Sequence, residues 1–227
     1  MQKPLKYIIH QNTFWLSAER CMYWEEEKAL IVADLHFGKT GHFRKSGIAV
    51  PQAVYKEDLQ RLVSQLQHFN PTQLIIVGDL FHSDANKELD LFKKWRKDLS
   101  SLKILLVKGN HDILHEDWYR KSEIEIYNDE PARPAGGLII NNFSFRHDLS
   151  ALNLKPQTLN YLFSGHIHPG IYIKGMGKQS LRFPCFYFTR QYAVLPAFSR
   201  FTGTHLIEPK KNDTVFAIAD NKIIQIT

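Results

Sequence analysis

Aspartate, asparagine and histidine recur in five short clusters along this chain, and together they supply the donors of a metal centre. The clusters read Asp34-Leu35-His36, Gly78-Asp79-Leu80-Phe81-His82, Gly109-Asn110-His111-Asp112, the single His147, and Gly165-His166-Ile167-His168. Carboxylate and amide oxygens mixed with imidazole nitrogens suit divalent cations of hard to borderline character. A pair of such cations can activate water and neutralise charge on a phosphate ester. One Asp-x-His is weak evidence, because most Asp and His residues serve as surface or hydrogen-bonded groups. Five clusters in order, each after an apolar run, are strong evidence. The chemistry they suggest is hydrolysis of a phosphate ester.

The apolar runs say how these residues are positioned. Residues 29–33, 74–77 and 104–107 are continuously apolar, the pattern of strands buried on both faces. Each run ends on a cluster, and ligands outside the carboxyl ends of parallel strands are where open α/β sheets place their sites. Strand alternation would turn Asp34 and His36 to one side, and likewise His166 and His168. Glycines 78, 109 and 165 allow sharp turns and close backbone approach.

Between the runs, Pro51 opens a helix with Leu59, Leu62, Val63, Leu66 and Phe69 at helical spacing, stopped by Asn70-Pro71. A second helix over 87–99 carries Leu91, Phe92, Trp95 and Leu99 on one side. The result is strand–helix–strand–helix–strand, an α/β pattern with parallel strands. Residues 6–10, 13–16 and 21–24 read as a meander of short strands. Residues 138–145 read as one strand leading to His147, and 160–164 as another leading to His166. Further strands fall at 171–173, 186–188, 192–195 and 214–218, the last turning at Asp220-Asn221 into a hairpin with 222–226. The expectation is one α/β domain over residues 1–227, with two mixed β-sheets face to face and helices outside.

The bulk properties narrow the class. With 227 residues and 44% hydrophobic content the chain can bury a core. A net charge of +6 suits an acidic partner such as nucleic acid, and serves equally as solubility charge. Cys21 and Cys185 stand far apart without a C-x-x-C spacing, which excludes a disulfide framework or zinc knuckle and suits a reducing compartment. No apolar run approaches the roughly 20 residues of a membrane span. A cytoplasmic protein with no membrane association is expected.

With these motifs in hand, the chain resembles the calcineurin-like metallophosphoesterases, marked by D-x-H, G-D-x-x, G-N-H-[DE], a lone H and G-H-x-H. The resemblance implies a four-layer αββα sandwich. It implies one cation held by Asp34, His36, Asp79 and His168, and a second held by Asp79, Asn110, His147 and His166, with Asp79 shared. Water whose pKa the cations lower would attack phosphorus in line. His111 would stand by the leaving group as general acid or charge stabiliser, and Asp112 would support its loop. Mn2+ is the expected metal, with Fe and Zn2+ suited to the same donors.

Two positions bear on the substrate. Phosphoprotein phosphatases of this superfamily carry G-D-x-x-D-R-G, whereas here position 82 is His and position 83 is Ser. His82 is similar to the nuclease branch, where a second His assists catalysis. UDP-diacylglucosamine hydrolases share the first motifs but carry Arg where this chain has His111. The segments Asp34-Leu-His-Phe-Gly-Lys39, His42-Phe-Arg-Lys-Ser-Gly47 with Pro51, and 195–203 resemble bacterial DNA-ligase-associated metallophosphoesterases over nearly the whole chain. That group implies a manganese-dependent phosphodiesterase or nuclease acting on DNA in repair, in association with DNA ligase and helicase. Lys39, Arg44 and Arg200 are candidate phosphate contacts, with Lys45 and Arg190 behind them. Lys93, Lys94, Arg96 and Lys97 read as a solvated helix face. The competing readings are a nucleotide or UDP-sugar phosphohydrolase on the same site, and a non-catalytic interaction module.

Overall fold

A computed structural model describes residues 2–38, 53–81, 87–129, 136–149, 160–174 and 180–227. In the first sheet, β1 (Leu5–Ile9), β2 (Asn12–Ser17), β3 (Cys21–Trp24) and β4 (Ala29–Ala33) form an antiparallel meander. It continues in parallel through β5 (Gln73–Val77), β6 (Lys103–Val107) and β7 (Ile124–Tyr127). The helices between them are α1 (Ala53–Phe69), α2 (Lys87–Asp98) and α3 (Glu116–Lys121).

The continuous apolar runs of β4, β5 and β6 divide between two cores by strand alternation. Ile31, Ala33, Ile75, Val77, Leu105 and Val107 face the second sheet. Leu30, Val32, Leu74, Ile76, Ile104 and Leu106 face Leu62 and Leu66 of α1, Phe92 and Trp95 of α2, and Tyr119 of α3. All three described helices pack on this face.

The second sheet comprises β8 (Leu138–Ile140), β9 (Phe143–Arg146), β10 (Tyr161–Ser164), β11 (Pro169–Lys174), β12 (Ser180–Phe188), β13 (Tyr192–Val194), β14 (His205–Leu206), β15 (Thr214–Ala219) and β16 (Lys222–Gln225). Its inner face adds Phe143, Phe145, Phe163, Phe186 and Phe188 to the core between the sheets, where they meet Phe14 and Trp24. Truncating any one of these to Ala would cost about 3–5 kcal/mol. The expected two mixed sheets, face to face with helices against them, are therefore present.

Some elements differ from expectation. The run 138–145 is a hairpin of β8 and β9, not one strand. Asn141 sits at φ 52° in the turn, a conformation Asn tolerates better than most residues. The hairpin expected at Asp220-Asn221 is present, with φ of 48° and 58° matching the mirror-image turn that strand twist favours. Helix α3 and strand β7 lack a sequence signal of their own. Arg96 is buried, not solvated, and donates to the carbonyls of Ser122 and Leu99. Pro51 lies outside the described residues.

Both sheets aim parallel strands at one rim. Ala33, Val77 and Val107 are level in the first sheet, and Arg146, Ser164 and Val194 are level in the second. Residues 197–199 stitch the two rims together. Ala197 bridges to Ala33, the Phe198 amide donates to the Ala33 carbonyl at 2.7 Å, and the Ser199 amide to the Asp34 carbonyl at 3.3 Å.

Candidate metal centre

The clusters converge on that rim. Asp34, His36 and His168 bring ligand atoms within 4.8 Å of one another, and so do Asp34, Asp79 and His147. His36 Nε2 lies 3.3 Å from His168 Nε2 and 3.9 Å from Asp79 Oδ2. His147 Nε2 lies 3.6 Å from Asp79 Oδ2 and 3.0 Å from His166 Nδ1. His168 Nε2 lies 3.6 Å from Asp34 Oδ1. Asp34, His36, Asp79 and His147 are buried, while His166 and His168 are partly open to solvent.

Backbone conformation produces this convergence in a way strand alternation does not. Asp34, His36, Asp79, His166 and His168 all have φ between 47° and 68°. Non-glycine residues held there cost on the order of 1–3 kcal/mol each, and such strain gathers at functional sites. These residues follow the strands instead of lying in them. Alternation of side holds over 34–37, where Leu35 and Phe37 enter the helix-side core and Asp34 and His36 turn to the rim. It breaks after Asp79, where Leu80 and Phe81 both enter that core. Amides of His36 and Phe37 donate to the carbonyls of Asp79 and Leu80 at 2.8 and 2.9 Å, locking the first two clusters together.

The glycines leave room for the candidate ligands. A Cβ on Gly78, at φ 81°, would lie 1.8 Å from His147 Nδ1, and one on Gly109 would lie 2.2 Å from Asp79 Oδ1. These positions require the smallest residue so that backbone and ligand can meet.

Asn110 and His111 are exposed beside this cluster. The His111 amide donates to Asp79 Oδ1 at 2.9 Å, and its ring centroid lies 5.5 Å from that of His36. Asp112 is buried and accepts from the amides of Gly109 (2.9 Å), Phe81 (3.0 Å) and Leu80 (3.3 Å), tying the Asn110 loop to the Asp79 loop. Burial pushes its carboxyl up to about 7 despite those amides. Support of the loop, as expected from sequence, is what this geometry provides.

Other supports carried no sequence signal. Asp129 pairs with Arg146 Nε at 2.8 Å and accepts the His147 amide at 2.7 Å. The Ser164 hydroxyl donates to the His147 carbonyl at 2.7 Å. The Gly203 carbonyl lies 3.3 Å from His168 Nδ1, which as the protonated nitrogen would leave the Nε2 lone pair, on the Asp34 side, available to a cation. Arg61 joins Glu19 and Asp58, bonds the Phe198 carbonyl at 3.0 Å and lies over the Phe198 ring, so α1 anchors the stitch beside Asp34. Arg200 is exposed, and its guanidinium bonds Glu19 and Asn221. His115 is exposed and caps α3. His82, Lys39, Arg44, His42 and Lys45 lie outside the described residues.

The donor set fits divalent cations. Two buried carboxylates meet imidazoles, and among the described residues their ion-pair partners are the histidines alone. His147 Nδ1 is buried, 3.8 Å from Asp34 Oδ1, and has no hydrogen-bond partner among the described residues. Buried nitrogens in that state call for a ligand or ion.

Residues 28–157, which hold Asp34, His36, Asp79, Asn110 and His147, match the model of the Calcineurin-like phosphoesterase family. The chain belongs to this family. It is therefore a metal-dependent phosphoesterase, and its two mixed sheets with flanking helices are the α/β metallophosphoesterase sandwich. Among solved structures, it is similar to the Pseudomonas putida nuclease MPE at 27% identity and a TM-score of 0.80, covering 98% of this chain and 100% of that one. Yfce, a phosphoesterase from E. coli, aligns at 15% identity and a TM-score of 0.41, covering 87% of this chain and 97% of that one. A comparison with curated proteins found no match.

Proposed function

We propose that this phosphoesterase hydrolyses phosphodiester bonds of nucleic acid, with DNA as the substrate and repair as the setting. The observation that carries the reading is end-to-end similarity to a nuclease, at a TM-score of 0.80 over 98% of the chain. It is joined by the convergence of Asp34, His36, Asp79, His147, His166 and His168 on one rim.

Asp34, His36, Asp79 and His168 would hold one cation, and Asp79, Asn110, His147 and His166 the other, with Mn2+ proposed for both. When bound, the cations supply Lewis acidity that lowers the pKa of water and neutralises phosphoryl charge. Asp79 is central to the arrangement, since its carboxylate meets His36, His147 and the His111 amide. His111 is held by that amide with its ring in the open. It would protonate or stabilise the departing oxygen of a diester, whose alkoxide leaves poorly without help. His82 is proposed to assist it, and Lys39 and Arg44 to hold flanking phosphates. Arg200 already bonds Glu19, so its proposed phosphate contact would share that side chain.

A substrate screen with Mn2+ tests the reading. Short single- and double-stranded DNA should be cut, while cyclic nucleotides and nucleotide sugars should turn over slowly. Turnover of a nucleotide with DNA untouched would overturn it in favour of a small-molecule phosphohydrolase.

A further inference from the structure

Strands β11 and β12 leave the body of the protein at the metal-centre rim. Val194, which is level with the last residue of β10, pairs with Tyr187 of the antiparallel β12. The residues of β12 that precede Tyr187 therefore lie beyond the rim. Past Cys185, β12 pairs only with β11 among the described strands, and β11 meets β14 only at Pro169 and Gly170. Residues 171–174 and 180–183 are thus a two-stranded arm, and its root follows directly on His168. From Tyr187, level with the rim, to Arg182 on the arm is about 17 Å at roughly 3.3 Å per residue.

Its two faces differ. Ile171, Ile173 and Phe183 turn toward the apolar cluster of the second sheet. Tyr172 stands opposite Arg182, and Lys174 opposite Ser180, on the other face. Tyr172, Lys174 and Arg182 are exposed. Among the described residues none of these three has an ion-pair partner. Between Asp148 and Glu208 the chain contains no Asp or Glu at all, so the surroundings in sequence offer no carboxylate.

An exposed aromatic ring between two cations, at the rim of a phosphodiester-cleaving site, has the composition that binds single-stranded nucleic acid. The ring stacks on a base of any identity, and the cations meet phosphates. Resting on the nuclease reading above, we infer that the β11–β12 arm holds the strand that continues from the scissile phosphate. Tyr172 stacks on a base, and Arg182 and Lys174 contact the backbone. At about 3.4 Å per nucleotide of a stacked strand, the arm reaches about five nucleotides from the cut.

The test compares a bis-aryl phosphodiester with single-stranded oligonucleotides of increasing length, in the Mn2+ enzyme and in Tyr172→Ala and Arg182→Ala. Both variants should hydrolyse the aryl diester at the wild-type rate, which also shows that they fold. On a long oligonucleotide each should raise KM about tenfold, the scale of one lost base stack or phosphate contact. The wild-type advantage should vanish on oligonucleotides too short to reach the arm. In binding measured in EDTA, Arg182→Ala should lower the slope of log K against log salt by about 0.7, while Tyr172→Ala leaves it unchanged. Unchanged KM on long oligonucleotides in both variants would overturn the arm and leave the nuclease reading standing. Aryl diester hydrolysis by wild type without oligonucleotide cleavage would overturn both.

Discussion

The amide of His147 donates to the Asp129 carboxylate at 2.7 Å, and the same carboxylate holds Arg146 Nε at 2.8 Å. A candidate ligand histidine is thereby aimed by a residue outside the five clusters. Both side chains of the Asp129–Arg146 pair are at most 10% exposed. Removing one partner of a buried pair typically costs about 3–5 kcal/mol because the other is left uncompensated. Asp129→Ala should therefore lose about that much stability in urea denaturation. Glu125→Ala, which breaks the exposed Lys103–Glu125 pair, should lose at most about 1 kcal/mol. Equal losses would show that Asp129 supports nothing.

Gly78 and Gly109 should resist any side chain. Their Cβ positions fall 1.8 Å from His147 Nδ1 and 2.2 Å from Asp79 Oδ1, whereas a Cβ on Gly203 meets nothing within 4 Å. Gly78→Ala and Gly109→Ala should weaken Mn2+ binding by about 10–100-fold, the scale seen when residues around metal ligands are disturbed. Gly203→Ala should bind as wild type does. Calorimetric metal titration of the three variants decides this, and unchanged affinity in the first two would contradict the convergence described.

Metal and stability should be linked. Among the described residues the two buried carboxylates pair with histidines alone, and a bound cation would join the whole set. Free Mn2+ at 100 times its dissociation constant should add about 2.7 kcal/mol of stability, seen as a higher Tm that EDTA reverses. The gain should shrink as pH falls, because protonated histidines cannot ligate. A Tm indifferent to Mn2+ at neutral pH would speak against a metal centre.

His111 offers a separation of binding from chemistry. Its amide, which holds Asp79, survives truncation, and only the exposed ring is lost. His111→Ala should keep metal affinity and lower kcat on a diester by about 10²–10⁴. Unchanged kcat would remove His111 from the reaction, and lost metal affinity would make it a ligand support instead.

Much of this was legible in the sequence, for reasons that particular residues make plain. The runs at 29–33, 74–77 and 104–107 are apolar at every position because each strand faces two cores, and each leads straight into a ligand cluster. The position of the site follows from that alone. The means of convergence does not, since the positive φ of Asp34, His36 and Asp79 depends on bonds between loops distant in sequence. Asp129 sits in a polar stretch without periodicity, and its partner is 17 residues away. Helix α3 is too short for a periodic signal and is capped by His115, an unusual choice. The charge run at 93–97 concealed Arg96 because a buried arginine and a solvated one look alike until the carbonyls of Leu99 and Ser122 are seen beside it.

Steady-state turnover of an aryl phosphodiester against the matching monoester, with Mn2+ and with Asp79→Asn as control, tests the central claim most directly. The account predicts faster diester turnover, loss of both activities in EDTA, and no turnover by Asp79→Asn, whose side chain can no longer offer two anionic oxygens to the centre. Preference for the monoester, or full activity in Asp79→Asn, would contradict it.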